Sequence, residues 1–276
     1  MEINSERKPG KRILMIGAHP DDCEIKAGGT AHILARQGHL VKFLSLSNGE
    51  AGHHEKYGPS LVESRKAEAL SAAKILGVES EVLDNKDGQL EPNIKLRHQV
   101  IAKIREFEAD IIITHRTNDY HPDHRYTGTV VQDSIYLVCV PAVVPEVKPL
   151  INNPVVLYFE DRFTKPNAFA HDIVVDISKE LEVKFDALCE HKSQFFEWLP
   201  WIERIEAPKN KTDLKNWLLN SWYTKLDESL KAKLKCKFDA DFVDNIEHFE
   251  AFEIGELGSS LDKATIQSIF CNVKFK

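Results

Sequence analysis

The stretch that most constrains this chain is Lys11-Arg12-Ile13-Leu14-Met15-Ile16-Gly17-Ala18-His19-Pro20-Asp21-Asp22-Cys23-Glu24, which passes abruptly from apolar to acidic. Arg12 to Gly17 reads as a buried strand. The polar groups that follow would stand at its carboxyl end, where open α/β sheets keep their chemistry. There His19 shares a small volume with Asp21, Asp22 and Glu24, and repulsion among the acids favours a bound cation or a proton. Gly28 and Gly29 follow, and Thr30 to Arg36 reads as a helix. A plainer reading is a helix start whose aspartate takes up free amides.

A second cluster, Asp119-Tyr120-His121-Pro122-Asp123-His124-Arg125, comes directly after the apolar run Ala109 to Thr114. If both runs are strands of one parallel sheet, their carboxyl ends face one crevice. His19, Asp22 and one later histidine can then converge on one ion. Two imidazoles and a carboxylate suit a catalytic Zn²⁺ with a position left for water. The same donors accept Fe²⁺, Mn²⁺ or Co²⁺.

The segments between the clusters alternate. Leu40 to Leu46 reads as a strand, followed by the polar, glycine-containing loop Ser47 to Gly52 at the border of the same crevice. Ser60 to Leu76 reads as a helix stopped by Gly77. On it Arg65 and Glu68 are three apart, either a surface ion pair or an arginine reaching toward a polar substrate. Ser80 to Leu83 reads as a short strand and Asn93 to Phe107 as a helix. Thr127 to Cys139 is expected to form the helix behind the second cluster. Such alternation marks parallel βα units, so the expected fold is α/β, a Rossmann-like, mostly parallel sheet flanked by helices.

Pro141, Pro145, Pro149 and Pro154 mark a change of character. Residues 1–140 would be the core carrying both clusters. Residues 141–276 would complete the same domain or form a small C-terminal lobe over the site. There 155–159 and 172–177 read as strands, Ser178 as the cap of a long helix to about Phe196, 213–234 as an amphipathic helix, and 247–253 as an exposed strand. His191 reads as a surface or helix-end histidine. Trp198, Trp201, Trp217 and Trp222 are either core or an aromatic wall of the kind that holds sugar rings.

Composition removes several classes of function. A formal net charge of -7 with no basic stripe gives no support to nucleic-acid binding. No stretch approaches the apolar length of a membrane span, and Met1 to Gly10 has no apolar run, so a cytoplasmic location is expected. The five cysteines are widely spaced, with no CxxC pair. They fit buried thiols in a reducing compartment better than a disulfide framework. Cys23, inside the first cluster, would be a poor thiolate ligand because the neighbouring acids raise its pKa. A dinucleotide oxidoreductase is disfavoured too, since Gly17-Ala18-His19-Pro20-Asp21 puts acids where a pyrophosphate needs amides.

Ala18-His19-Pro20-Asp21-Asp22 with Glu24, the Asn48-Gly49 loop and His121-Pro122-Asp123-His124 resemble the LmbE-like, or PIG-L-type, deacetylase family. The weaker Arg65-Lys66-Ala67-Glu68 helix and Lys184, His191, Ser193 and Gln194 extend the likeness over roughly 11–195. The resemblance implies a metal-dependent hydrolase that removes acetyl from the nitrogen of an N-acetylglucosamine-type substrate, a small amino sugar or glycoconjugate. Its metal ligands would be His19, Asp22 and His124. Asp21 would be the general base and later acid, His121 the group beside the oxyanion, protonated and oriented by Asp123. Arg65, with Asp119 and Tyr120, would face substrate, and Arg116 is a further arginine able to hold a carboxylate. The chain departs from the pattern at Cys23 and at Asp119-Tyr120, which bears on specificity more than on chemistry. The rivals are hydrolysis of another amide or an ester, and a non-catalytic binding protein with a vestigial metal site. A homo-oligomer is the general expectation for such an enzyme.

Overall fold

The structure is a computed structural model that describes residues 10–270 and 273–276. The opening residues 1–9, Cys271 and Asn272 lie outside it. Seven strands form one sheet: β1 (Arg12–Gly17), β2 (Leu40–Ser47), β3 (Glu79–Asn85), β4 (Ile111–Thr114), β5 (Val155–Phe159), β6 (Ile173–Asp176) and β7 (Phe249–Gly258). Their order is β3-β2-β1-β4-β5-β7-β6. The first five are parallel, and β7 runs antiparallel to both β5 and β6.

The helices are α1 (Asp22–Arg36), α2 (Pro59–Leu76), α3 (Ile94–Phe107), α4 (Pro122–Ile135), α5 (Leu181–Glu190), α6 (Leu199–Glu203), α7 (Lys211–Ser221), α8 (Glu228–Leu234), α9 (Ala240–Asn245) and α10 (Lys263–Ile269). Side chains alternate across a strand, so Ile13 and Met15 join the core under α1, α2 and α5, while Leu14 and Ile16 join the core under α3 and α4. Both faces being covered explains why β1 and β4 read as unbroken apolar runs. With β2 on one side of β1 and β4 on the other, the chain order reverses at β1, and a crevice opens beyond its carboxyl end.

Several sequence expectations are corrected. Helices α1 and α4 begin at Asp22 and Pro122, so each cluster runs from the connection before its helix, through the cap at Asp21 or His121, into the first helical turn. Pro122 takes the first helical position, where no amide is needed, and the His121 side chain caps by accepting from the Asp123 amide. The Thr127 start therefore falls too late.

Ser178 caps no helix. Its hydroxyl donates to Asp176 and accepts from the amides of Glu247 and His248. The expected long helix breaks at His191, and a π-helical turn, Ser193–Trp198, follows. His191 is fully buried against Glu24 Oε1 at 3.1 Å, a helix-end residue but not a surface one.

The helix expected over 213–234 is two, α7 and α8, capped by Asn210 and Asp227 respectively. The exposed strand expected at 247–253 is β7, which lies inside the sheet with Phe249, Glu250, Ala251 and Phe252 buried. Its alternating pattern misleads because Glu250 is buried together with a partner. One carboxylate oxygen of Glu250 accepts from Lys184 at 2.6 Å and from the Gly29 amide at 3.0 Å, and the other from the Thr30 amide at 2.7 Å. Helix α1 is kinked at Ala27, and this carboxylate takes up amides at the kink.

Candidate metal centre

The site is built on the β1–α1 and β4–α4 connections. Asp22 Oδ2 accepts from the amides of Ala18 and His19, both at 2.8 Å, so the first turn is wrapped around its own carboxylate. Gly17 permits this, since a Cβ there would come within 2.8 Å of Asp22 Cβ. Gly128 does the same for α4, where a Cβ would sit 2.6 Å from the His115 carbonyl oxygen. A larger residue would hold α4, and His124 with it, away from the end of β4.

His124 Nε2 lies 3.2 Å from His19 Nδ1 and 3.4 Å from Asp22 Oδ1, and His19 Nδ1 is 3.6 Å from Asp22 Oδ2. Ligands about 2.0–2.1 Å from a tetrahedral Zn²⁺ stand about 3.3–3.4 Å from one another. The outward nitrogens are already paired: His124 Nδ1 with Asp119 Oδ1 at 3.0 Å, and His19 Nε2 with Asp87 Oδ1 at 3.2 Å and Asp123 Oδ2 at 3.4 Å. Protons held on those nitrogens leave two lone pairs facing inward beside a carboxylate. That donor set fits a divalent cation, with outer carboxylates in the pattern that orients metal-binding imidazoles.

The surrounding carboxylates favour positive charge here, whether a proton or a cation. Burial opposes a charge on His19, but Asp123, Asp22 and Asp87 outweigh it and hold its pKa well above the ordinary value. Burial also opposes ionisation of Asp22, and the adjacent His124 and His115 overcome it, holding the carboxyl well below its usual range.

Asp21 differs from its neighbour. It is buried, and burial together with the Asp22 charge pushes its pKa up, against Arg65, His191 and His19. Gln194 Nε2 donates to Asp21 Oδ2 at 2.5 Å, and Gln194 Oε1 accepts from the Arg65 guanidinium. Arg65 also donates to the Gly52 carbonyl at 2.5 Å. The reading of the Arg65–Glu68 spacing as a surface ion pair does not survive, because Arg65 is buried and Glu68 accepts from the amide and hydroxyl of Ser193, while Arg65 does line the cavity.

The expected pairing of Asp123 with the His121 ring is not made. Asp123 accepts from the amides of Gly88 and Leu90 and faces His19. His121 Nδ1 instead accepts from the Asp123 amide at 3.2 Å, which puts the proton of a neutral ring on Nε2. Burial and the nearby His19 and His124 lower its pKa, so the protonated ring expected from the sequence is disfavoured.

Asp119 is engaged with His124 and with the His121 amide, and Tyr120 is largely exposed at the edge of both rings. Arg116 is not free to hold a substrate carboxylate: it makes a two-pronged pair with Asp161 at 2.6 and 2.7 Å and donates to the carbonyls of Phe163 and Asn167. Cys23 faces the core, its Sγ 3.5 Å from the Met15 carbonyl oxygen, and burial raises its pKa.

Two site residues escaped the sequence reading. His115 stacks on His124 with ring centroids 4.2 Å apart and lies 3.1 Å from Asp22 Oδ2; burial, with His124 beside it, lowers its pKa to about 4. Its position one residue past β4 was the available signal. Asp87 sat in what reads as ordinary turn sequence, and nothing local marks it.

His19, Asp21, Asp22, His121 and His124 line one cavity of about 710 Å³, together with Gly49, Gly52, Trp198 and Trp222. No helix among the described residues is long and apolar enough to cross a membrane.

Comparison with known proteins places this arrangement. A family model described as GlcNAc-PI de-N-acetylase (PIG-L) matches residues 14–135, the segment holding both clusters. The chain is 31% identical over 220 residues to a diacetylchitobiose deacetylase of Thermococcus kodakarensis, covering 74% of this chain and 79% of that one. It is 24% identical over 215 residues to a 4-oxalmesaconate hydratase of Pseudomonas putida, covering 73% and 83%. The solved structure of an N,N'-diacetylchitobiose deacetylase from Pyrococcus horikoshii superposes with a TM-score of 0.67 at 24% identity, over 89% of this chain and 84% of that one. With its two clusters, its mostly parallel sheet and this degree of likeness, the chain belongs to the PIG-L, or LmbE-like, family of de-N-acetylases.

Proposed function

We propose that this protein is a metal-dependent hydrolase that removes the acetyl group from the amide nitrogen of an N-acetylglucosamine-type amino sugar or its conjugate. The observation that carries the reading is the inward convergence of His19 Nδ1, His124 Nε2 and Asp22 within 3.2–3.6 Å, beside the buried Asp21. The relative at 31% identity, named for deacetylation of an acetylated disaccharide, supports the choice of bond.

His19, Asp22 and His124 would hold the ion, and their two imidazoles and one carboxylate suit Zn²⁺ while accepting Fe²⁺, Mn²⁺ or Co²⁺. When bound, such an ion supplies Lewis acidity, lowering the pKa of a water toward about 7 and polarising a carbonyl. Asp21 acts as general base, taking a proton from the attacking water as the oxygen–carbon bond forms. It then gives that proton to the amide nitrogen as the carbon–nitrogen bond breaks, so acetate and a free amine leave. Gln194 aims the Asp21 carboxylate. His121, neutral with its proton on Nε2, donates to the oxygen that gains negative charge, a contribution of about 3 kcal/mol to the barrier.

The test is acetate release from a panel of N-acetylated glucosamine derivatives, with O-acetyl esters beside them and Asp22→Ala as control. Release from an amide that vanishes in the control supports the reading. Release from esters alone moves the function to ester hydrolysis. No release with no bound ion would put the binding-protein reading first.

A further inference from the structure

Lys184, His191, Ser193 and Gln194 come from α5 and the π-helical turn after it. Three of these side chains meet the first turn of α1 and its cap. Gln194 donates to Asp21 Oδ2, His191 Nε2 lies 3.1 Å from Glu24 Oε1, and Lys184 donates to the Ile25 carbonyl at 2.8 Å. Ser193 ties the same segment to α2, its amide and hydroxyl donating to Glu68 at 2.9 and 2.6 Å. The segment is thus fastened along the stretch from Asp21 to Ile25, which also holds Asp22.

His191 is where this segment changes direction. Helix α5 ends there, at φ −78° and ψ 62°, and the His191 carbonyl accepts from the amides of Gln194 at 3.1 Å and Phe195 at 2.9 Å. The course of the following turn is therefore set from this residue. A π-helical turn departs from the regular i to i−4 bonding, and such turns recur at functional sites. His191 and Glu24 are both buried, at 0% and 3% exposure, and the ring's Nδ1 has no hydrogen-bond partner among the described residues. Glu24 is thus the polar contact that orients the ring. Burial opposes a charge on His191, but Glu24, Asp21 and Glu68 outweigh it and raise its pKa. Neither His191 nor Glu24 is among the residues that line the cavity.

We propose that His191, held by Glu24, is a positioning residue for the hydrolysis: it seats the π-helical turn so that Gln194 reaches Asp21 and fixes the direction in which that carboxylate points. A buried pair of this kind adds little net stability over apolar residues of the same shape; what it adds here is one defined seating of the turn on α1. The role in the reaction rests on the deacetylase reading above, while the seating of Gln194 follows from the contacts themselves.

The experiment compares the intact, metal-loaded natural chain with Glu24→Leu/His191→Phe, which removes both partners and leaves no buried charge, and with His191→Gln, which keeps a donor for Glu24. His191→Asn, whose amide is too short to reach Glu24, is measured beside them, so the comparison stands if the double variant does not fold. Each change is also made on top of Gln194→Ala. Two quantities are read: acetate release from N-acetylated glucosamine derivatives, with kcat and KM separated, and the side-chain amide NMR signal of Gln194 in protein carrying isotope-labelled glutamine, assigned by its loss in Gln194→Ala. Removing the pair is expected to lower kcat by about 10- to 100-fold, with metal content unchanged and KM within about twofold, and to move the Gln194 signal to that of an exposed glutamine. His191→Gln is expected to keep the signal in place and kcat within about threefold of the natural chain. On the Gln194→Ala background, removing the pair should cost less than about twofold more, since nothing is left for it to act through. Losses that multiply with that of Gln194→Ala overturn the proposal, as does an unmoved Gln194 signal in the folded variants that lack the pair, or His191→Gln as slow as those variants. No acetate from the natural chain, with the signal displaced as expected, overturns the deacetylase reading and leaves the seating of Gln194 standing.

Discussion

Gln194 Nε2 donates to Asp21 Oδ2 over 2.5 Å, joining residues 173 apart in sequence, and Gln194 Oε1 at the same time accepts from Arg65. One amide thus aligns a buried carboxylate against a buried guanidinium. A hydrogen bond to a charged group contributes about 1.5–3 kcal/mol. Gln194→Ala is therefore expected to lower kcat by about 10- to 100-fold with metal content unchanged. Steady-state kinetics beside metal analysis checks this, and a variant with natural kcat would remove Gln194 from the positioning of Asp21.

On the proposed reading Asp21 and Asp22 are neighbours with different tasks, and their variants should separate. Asp21→Asn is expected to retain its ion and lose about 10²- to 10⁴-fold in kcat, the range of a general base. Asp22→Ala is expected to lose both the ion and the activity, because it removes a ligand and the acceptor for the Ala18 and His19 amides. Metal content and acetate release measured on both proteins decide the assignment; equal metal loss in both would merge the two roles.

His115 touches Asp22 and stacks on His124 without belonging to the inward-facing set. His115→Phe keeps a stacking ring and removes the hydrogen bond. Outer partners of metal ligands typically change affinity by about 10- to 100-fold, and a loss in that range is expected in a competition titration with a chelator. Unchanged affinity would make His115 a packing residue only.

Lys184 is fully buried, 2.6 Å from Glu250, 2.8 Å from the Ile25 carbonyl and with its Nζ 4.5 Å from the centre of the Tyr223 ring. Burial opposes its charge, yet Glu250 and Tyr223 outweigh that and raise its pKa. A raised pKa means its stabilising contribution is complete below the unfolded value of about 10.4 and is lost as pH rises through the higher folded value. Stability is expected to fall more steeply between those two values in the natural chain than in Lys184→Met. At pH 7 that variant should be less stable by about 3–5 kcal/mol, since Glu250 is left buried and unpaired. Denaturant melts across the pH range measure both effects, and a loss under about 1 kcal/mol at pH 7 would contradict this account.

Much of the fold is legible locally because its signals are local. An apolar run ending in polar residues marks a parallel strand, and β1, β2, β4 and β5 lie where the sequence puts them within two residues. Chain direction breaks down where a buried charge imitates a surface. Glu250 makes β7 alternate like an exposed strand, and His191 ends a helix that periodicity would continue.

The site divides in the same way. His19, Asp21, Asp22, His121 and His124 stand out because two acidic, histidine-rich turns follow two apolar strands, and the pairing of β1 with β4 brings those turns together. Asp87 and His115 come from stretches with no local mark, and no local pattern pairs Gln194 with Asp21, His191 with Glu24 or Ser193 with Glu68. The sequence by itself determined which groups are candidates for the chemistry, through local patterns and spacing. Only the tertiary structure decided which carboxylate orients which imidazole, because those pairings are set by contacts between chain segments far apart and by the burial that makes an unpaired polar group costly.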